Sequence, residues 1–269
     1  MEYAGANGKG CVYLYNANTV YFDEITVQDC DNHGLYANDD SYPSIEDSTF
    51  QDNADNGIYV YALSDAGTPS FTGNTLTNNG DYPIRLEAGT ISELSDDSTY
   101  TGNGTDYVVV DGGELDSSAE TFRALDVDYL VQGDVTLSGT VDIESGVTLY
   151  IDNGVRWNLE GTLTVSGTSS DEVLFTSAQS TPAAGDWEGL RTQTSSAVLS
   201  MEYATVEYGG ASMNGTIYCY RASSITLDNV AVDYSDSYGL YYYSSLCSSS
   251  KWTLSSMSYT GNTYGEKNW

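Results

Sequence analysis

Two stretches of this chain are copies of one another. Residues 2–36 (EYAGANGKGCVYLYNANTVYFDEITVQDCDNHGLY) and 207–241 (EYGGASMNGTIYCYRASSITLDNVAVDYSDSYGLY) align without a gap at an offset of 205. Fourteen of the 35 positions are identical, among them Tyr13/Tyr218, Tyr15/Tyr220 and Tyr36/Tyr241. A finer period runs inside the long unit. Val27, Phe50, Leu76, Tyr100 and Phe122 form one column at near-regular spacing. Phe22, Ile45 and Phe71 stand five residues before it. Asn53, Asn79 and Asn103 stand three after it, and Gly34, Gly57 and Pro83 seven after it. Leu35, Ile58, Ile84, Val108 and Leu130 stand eight after it. The second copy resumes the column with Val232 and Tyr259, the latter followed by Asn262.

A period of about 22–26 residues is too short for stacked helix pairs, which need more than about 30. The local pattern is alternation, as in Gly57-Ile58-Tyr59-Val60-Tyr61, and period two is the signature of strands. One such coil cannot bury its apolar face alone. Stacked coils bury a continuous column, with parallel strands about 4.8 Å apart. The fold expected is therefore all-β, a parallel β-helix of roughly 11–12 coils in one continuous solenoid. We divide it into coils of the first repeat (1–132), denser coils (133–199) and coils repeating residues 1–60 (200–269). The one Pro-, Ala- and Ser-rich break, residues 176–189, reads as a loop inside the solenoid.

The dense segment carries a family resemblance. GVTLYIDNGVRWNLEGTLTVSGT, then VLFTS, then GDWEGLR at 185–191 and ATVEYGG at 204–210 resemble the right-handed parallel β-helix repeat proteins of bacterial and archaeal envelopes. The resemblance extends over nearly the whole chain and implies a right-handed coil, as does the crossover rule for parallel strands. Coils of this kind serve adhesins, surface fibres, stalks and polysaccharide enzymes, so function has to be argued from particular residues.

Charge removes several functions. Eight Lys+Arg against 39 Asp+Glu gives 8 − 39 = −31, which argues against nucleic-acid partners and anionic membranes. No apolar run approaches a membrane span. Pectin-degrading hydrolases of this fold use a His with nearby carboxylates and a downstream Arg-x-Lys. Here the only His is His33, its counterpart is Tyr238, the pair Asp39-Asp40 follows rather than precedes it, and Arg-x-Lys is missing. His33 therefore reads as a solvated turn residue. Arg85, the candidate for a lyase base, reads as a cation tempering stacked negative charge. No catalytic residue is assigned, and no cofactor is required. Acidic stretches such as Asp29-Cys30-Asp31, Asp39-Asp40 and Asp52 to Asp55 suit Ca2+ in their oxygen ligands, without matching a known calcium loop.

Cys11, Cys30, Cys219 and Cys247 lack Cys-x-x-Cys spacing. Local pairs 11–30 and 219–247 are one arrangement; free thiols, with Cys219 as an inward apolar filler, are the other. Tyrosine is the most unusual feature, 24 of 33 aromatics. Alternation puts Tyr36, Tyr59 and Tyr61 outward, joined by Tyr13 and Tyr15 in the first copy and Tyr218, Tyr220 and Tyr241 in the second. Such a stripe stabilises itself by stacking, binds sugar rings, or packs against another subunit. Asn53, Asn79, Asn103 and Asn262 read as a structural turn column that ladders and tolerates the left-handed conformation. Asn103-Gly-Thr and Asn214-Gly-Thr are glycosylation candidates. The chain begins and stops inside the repeat pattern, so a longer array or head-to-tail or lateral self-assembly is expected. The sequence reading is an extracellular structural element of a cell-surface filament, sheath or adhesin; the alternative is a carbohydrate-binding module or a polysaccharide lyase or hydrolase.

Overall fold

The computed structural model describes residues 9–17, 20–38, 41, 43–61 and 70–269. They form two compact units, Met1–Asp111 with Arg123–Tyr129, and Gly112–Phe122 with Leu130–Trp269.

In the first unit, strands Val12–Tyr15, Leu35–Asn38, Ile58–Tyr61, Ile84–Leu86 and Tyr107–Val110 pair in parallel, each with its equivalent one coil later. The expected columns are observed as registers: Leu35↔Ile58↔Ile84↔Val108, Phe22↔Ile45↔Phe71 and Val27↔Phe50↔Leu76. Apolar residues alternate inward because a strand sends neighbours to opposite faces, and Leu35, Phe50, Ile58, Leu76 and Tyr100 are wholly buried. Two ends of the columns differ. Phe122 belongs to the second unit and registers with Ile143. Leu130 is half-buried, while Tyr129 and Val131 take the buried positions.

In the second unit one sheet runs through Gly113–Leu115, Val135–Leu137, Arg156–Leu159, Gly189–Thr192, Gly215–Cys219, Tyr238–Tyr242 and Gly265–Lys267, again all parallel. Val135, Leu137, Val141, Ile143, Val147, Leu149 and Ile151 are all buried, as the alternation requires. Large rings fill the core, with Phe122, Trp157 and Phe175 in sequential contact at 5.7 and 5.9 Å. The fold is thus the expected β-solenoid, in about nine turns rather than 11 or 12. Fewer turns mean longer coils. The coil between Arg156 and its register partner Gly189 is long because it contains the loop 176–189.

Bends between strands carry the second half of the fold. In the first unit Glu24 and Asp47 (φ 51° and 46°) and Asp29, Asp52 and Asn78 (φ 56°, 53° and 55°) adopt the left-handed region. The counterparts of Glu24 and Asp29 in the second copy, Asn229 and Tyr234, do so too, at φ 54° and 53°. A left-handed tyrosine costs about 1 kcal/mol, and Tyr234 offsets it by stacking on Tyr208, centroids 5.1 Å apart at 9°. The asparagine column is corrected in one respect. Asn53, Asn79 and Asn103 do not occupy the left-handed position; they follow it. Their role is a hydrogen-bond ladder. Asn53 Nδ2 donates to Asn79 Oδ1 at 2.8 Å, and Asn79 Nδ2 to Asn103 Oδ1 at 2.9 Å. The amides of Asn79 and Asn103 also donate to the carbonyls of Phe50 and Leu76. In the second unit Asn262 accepts from Ser235 N and donates to Val232 O, both at 2.8 Å. A second ladder, unforeseen, runs through Ser48, Asn74 and Ser98. It is cryptic in sequence because serine and asparagine alternate in one column. Gly34 and Gly57 are required beside the first ladder. A Cβ on Gly34 would lie 2.8 Å from Asn53 Nδ2, and one on Gly57 equally close to Asn79 Nδ2.

The cysteines pair locally, Cys11 with Cys30 and Cys219 with Cys247, and none among the described residues is free. Cys219 is wholly buried, so its inward position and its disulfide coexist. The ladder makes a quantitative prediction. Asn79→Ala strands partners on the two neighbouring coils, Phe50 and Asn53 on one and Asn103 on the other, and should lower unfolding free energy by about 2–4 kcal/mol, read by denaturant titration. Asn153→Ala, at an exposed turn, should stay within about 0.5 kcal/mol of the parent.

Candidate functional site

The outward faces of these sheets are tyrosine-rich because parallel register places equivalent residues side by side. In the first unit Tyr13, Tyr36, Tyr59 and Arg85 occupy one row. Tyr13 and Tyr36 lie 5.7 Å apart, and Tyr36 and Tyr59 5.3 Å apart in an edge-on contact. Tyr15 and Tyr61 stand on the same strands two residues on, each beside its row neighbour at 6.4 and 6.1 Å. Exposure divides the group. Tyr13, Tyr15 and Tyr61 are 44, 60 and 46% exposed, whereas Tyr36 and Tyr59 are half-buried by their neighbours. Lys9 Nζ sits 4.5 and 4.6 Å from the Tyr13 and Tyr36 ring centres. Arg85 lies over Tyr59 at 5.4 Å and is committed to Asp111 by an ion pair and an Nε hydrogen bond of 2.9 Å. A cation tempering acidic neighbours is thus what Arg85 is, with the ring contact added.

His33 is not the solvated residue expected. It is half-buried, stacks on Tyr36 at 5.9 Å and meets Tyr59 edge-on at 5.3 Å. Its Nδ1 accepts from the Asn56 backbone N at 3.3 Å and faces Asn56 Nδ2 at 3.2 Å. Asn56 Oδ1 in turn accepts from Tyr82 N, so His33 is the first rung of a third ladder. An accepting Nδ1 requires the neutral ring. Burial pushes the His33 pKa down, Asp55 and Asp81 pull it up less strongly, and Arg85 adds to the lowering.

In the second unit the row is Asn158, Arg191, Tyr218 and Tyr241. Tyr218 meets Tyr241 edge-on at 5.3 Å, and Tyr220 stacks on Tyr243 at 5.6 Å. Tyr218 departs from the exposed stripe. It is only 8% exposed, covered by its ring and guanidinium neighbours, and burial raises its phenol pKa. Arg191 stands 5.3 and 4.9 Å from the Tyr218 and Tyr220 ring centres, and Arg221 5.5 Å from Tyr220. Sequence reasoning noted Tyr241-Tyr242-Tyr243 and the two arginines but missed that the arginines stand against Tyr218 and Tyr220. The signal was the column itself, in which Arg191 stands one coil before Tyr218. The loop 176–189 separates Arg191 from its other row neighbour, Asn158, and hides the period.

The glycosylation candidates separate. Asn103 is half-buried and its Nδ2 donates to the Leu76 and Tyr100 carbonyls at 3.0 and 2.8 Å, so it has no free amide to offer. Asn214 is exposed. Asp39-Asp40, among the calcium candidates, lies outside the described residues. Among those described, no three His, Cys, Asp or Glu side chains converge as a metal cage.

Comparison with known proteins gives one finding. Residues 3–103 match the family model described as a right handed beta helix region, which agrees with the parallel, stacked registers of the first unit. No curated protein and no solved structure matches the chain.

Two outcomes follow from this geometry. A His33 pKa depressed in the folded state binds fewer protons than the unfolded chain between that value and about 6.5. Stability should therefore be fully present above the unfolded pKa and fall as pH drops below it. Urea midpoints at pH 7.5 and 5.5 should show this loss in the parent and a smaller one in His33→Asn, which retains an acceptor. In a glycosylating secretory host, mass spectrometry of the folded protein should find a glycan at Asn214 and none at Asn103.

Proposed function

We propose that this protein is a non-catalytic element of an extracellular surface, an adhesin-type β-helix that presents tyrosine faces to glycans. The observation that carries the reading is the Tyr13–Tyr36–Tyr59 row with its exposed flanks Tyr15 and Tyr61. Phenol rings on a rigid sheet offer an apolar face and a polar tip, the combination that seats the C–H face of a sugar while its hydroxyls find partners. Side chains locked by their neighbours lose little freedom on binding. The extracellular placement rests on two disulfides, which persist where the surroundings are oxidising. The same exposed phenols suit packing against a second copy, since tyrosine is enriched at interfaces. β-Helix domains also occur in polysaccharide-cleaving enzymes, and the reading differs from those in assigning no acid–base pair.

Binding to a panel of neutral oligosaccharides tests it, with Tyr36→Ala and Tyr61→Ala as variants. Each should weaken binding about two- to tenfold, the worth of one aromatic contact, while thermal unfolding tracks any loss of fold. Release of new reducing or unsaturated sugar ends by the parent would overturn the non-catalytic reading. Negative-stain electron microscopy of the same sample separates self-assembly, seen as filaments, from dispersed particles that bind sugars only.

A further inference from the structure

Cations are scarce in this chain, eight against 39 acids, and each would be expected to find a carboxylate. Arg85 has found Asp111 and Arg156 has found Glu188. Arg191 has not. Among the described residues its side chain makes no ion pair and no hydrogen bond, and its Nε is sealed from solvent without an acceptor. Arg221, exposed, makes no ion pair among the described residues either. Both guanidinium groups nevertheless lie within 5.5 Å of the centre of one ring, Tyr220. Tyr220 stacks on Tyr243, which is 42% exposed.

We propose that Arg191, aided by Arg221, binds an oxyanion, a sulfate ester or a carboxylate, carried on a saccharide ring that rests against Tyr220 and Tyr243. A guanidinium held against an aromatic face keeps its in-plane donors unused, and with Nε sealed it is the terminal pair of Nη groups of Arg191 that can meet an oxyanion in paired hydrogen bonds. Two like charges against one ring repel, and an anion beside them relieves that repulsion. Ring contacts alone satisfy a guanidinium only in part, because they leave its donors unused. Asn158, next to Arg191 in the row, has its Oδ1 taken by Gln193 Nε2 at 2.8 Å, which fixes the amide beside the site. At Tyr13 and Tyr36, the counterparts of Tyr218 and Tyr241, the cation against the rings is the ammonium of Lys9, a point charge without the fork, and the counterparts of Arg221 and Tyr243 are Asn16 and Asn38. The two tyrosine faces therefore differ in the ligand they take. This inference stands on the guanidinium groups and does not require neutral sugars to bind at Tyr13, Tyr36 and Tyr59.

Isothermal titration of the whole protein tests it with four probes: inorganic sulfate, a sulfated disaccharide, a uronate disaccharide and a neutral disaccharide. At least one charged sugar should bind about tenfold or more tightly than the neutral one, and its affinity should fall as salt rises. The ranking of the sulfated and uronate sugars identifies the group. Competition by inorganic sulfate supports recognition of the oxyanion itself. Arg191→Gln should bring the charged sugar to the neutral level, with Arg191→Lys in between. Equal affinity for charged and neutral sugars overturns the proposal, and so does unchanged affinity in a folded Arg191→Gln. Should Arg191→Gln fail to fold, exposed Arg221→Gln decides: a weakened charged-sugar affinity supports the site, and an unchanged one overturns it. If neutral sugars fail to bind anywhere while the charged ones bind here, the tyrosine-platform reading fails and this site remains.

Discussion

Hydrogen bonds between equivalent positions of successive coils are the interaction on which this structure depends. Within the strands they are ordinary parallel ladders. At the bends the backbone turns away from the ladder, and its N–H and C=O groups would be buried without partners. Side-chain amides take their place. Asn53, Asn79 and Asn103 each accept a backbone N–H from the coil before, and Asn79 and Asn103 also donate to buried carbonyls. His33–Asn56 and Ser48–Asn74–Ser98 repeat the device in other columns. These ladders fix register, because slipping one residue would orphan every rung at once.

The surface follows from the same constraint. Once register is fixed, every outward residue has its counterpart one rung away, too close for either to remain fully solvated. Tyrosine fits that spacing: Tyr36 and Tyr59 are half-buried against their neighbours and Tyr218 almost wholly, while Tyr13 at the end of its row stays 44% exposed. The result is two rows of phenols with cations against their faces, in a chain of net charge −31. Where a carboxylate lies in reach, as Asp111 does for Arg85, the cation is neutralised. Arg191 has none within ion-pair distance among the described residues, so the two tyrosine rows carry different charge chemistry.

Much of the fold was legible because burial repeats with the coil. The columns through Val27, Phe22 and Leu35 were readable as residue spacing, and the registers reproduce them. The asparagine column was legible as a structural ladder, though its position relative to the left-handed bend was not. Sequence shows that asparagine recurs, but whether it adopts the left-handed bend or follows it depends on backbone dihedrals. His33 was misjudged for a related reason. A histidine beside glycine looks solvated, and only the packing of Tyr36, Tyr59 and Asn56 around it makes it a half-buried acceptor.

By itself the sequence determined the class of fold, the inward columns, the tandem copies and the tyrosine-rich outer faces. All of these depend on periodicity, which survives in one dimension. The tertiary structure alone decided that the four cysteines pair locally, that Tyr218 is covered while Tyr15 is exposed, that Asn103 is bound in a ladder while Asn214 is exposed, and that Arg191 is left with rings in place of a carboxylate. Those outcomes depend on distances between side chains on neighbouring coils. Coils of unequal length, some carrying loops, do not encode such distances in their spacing.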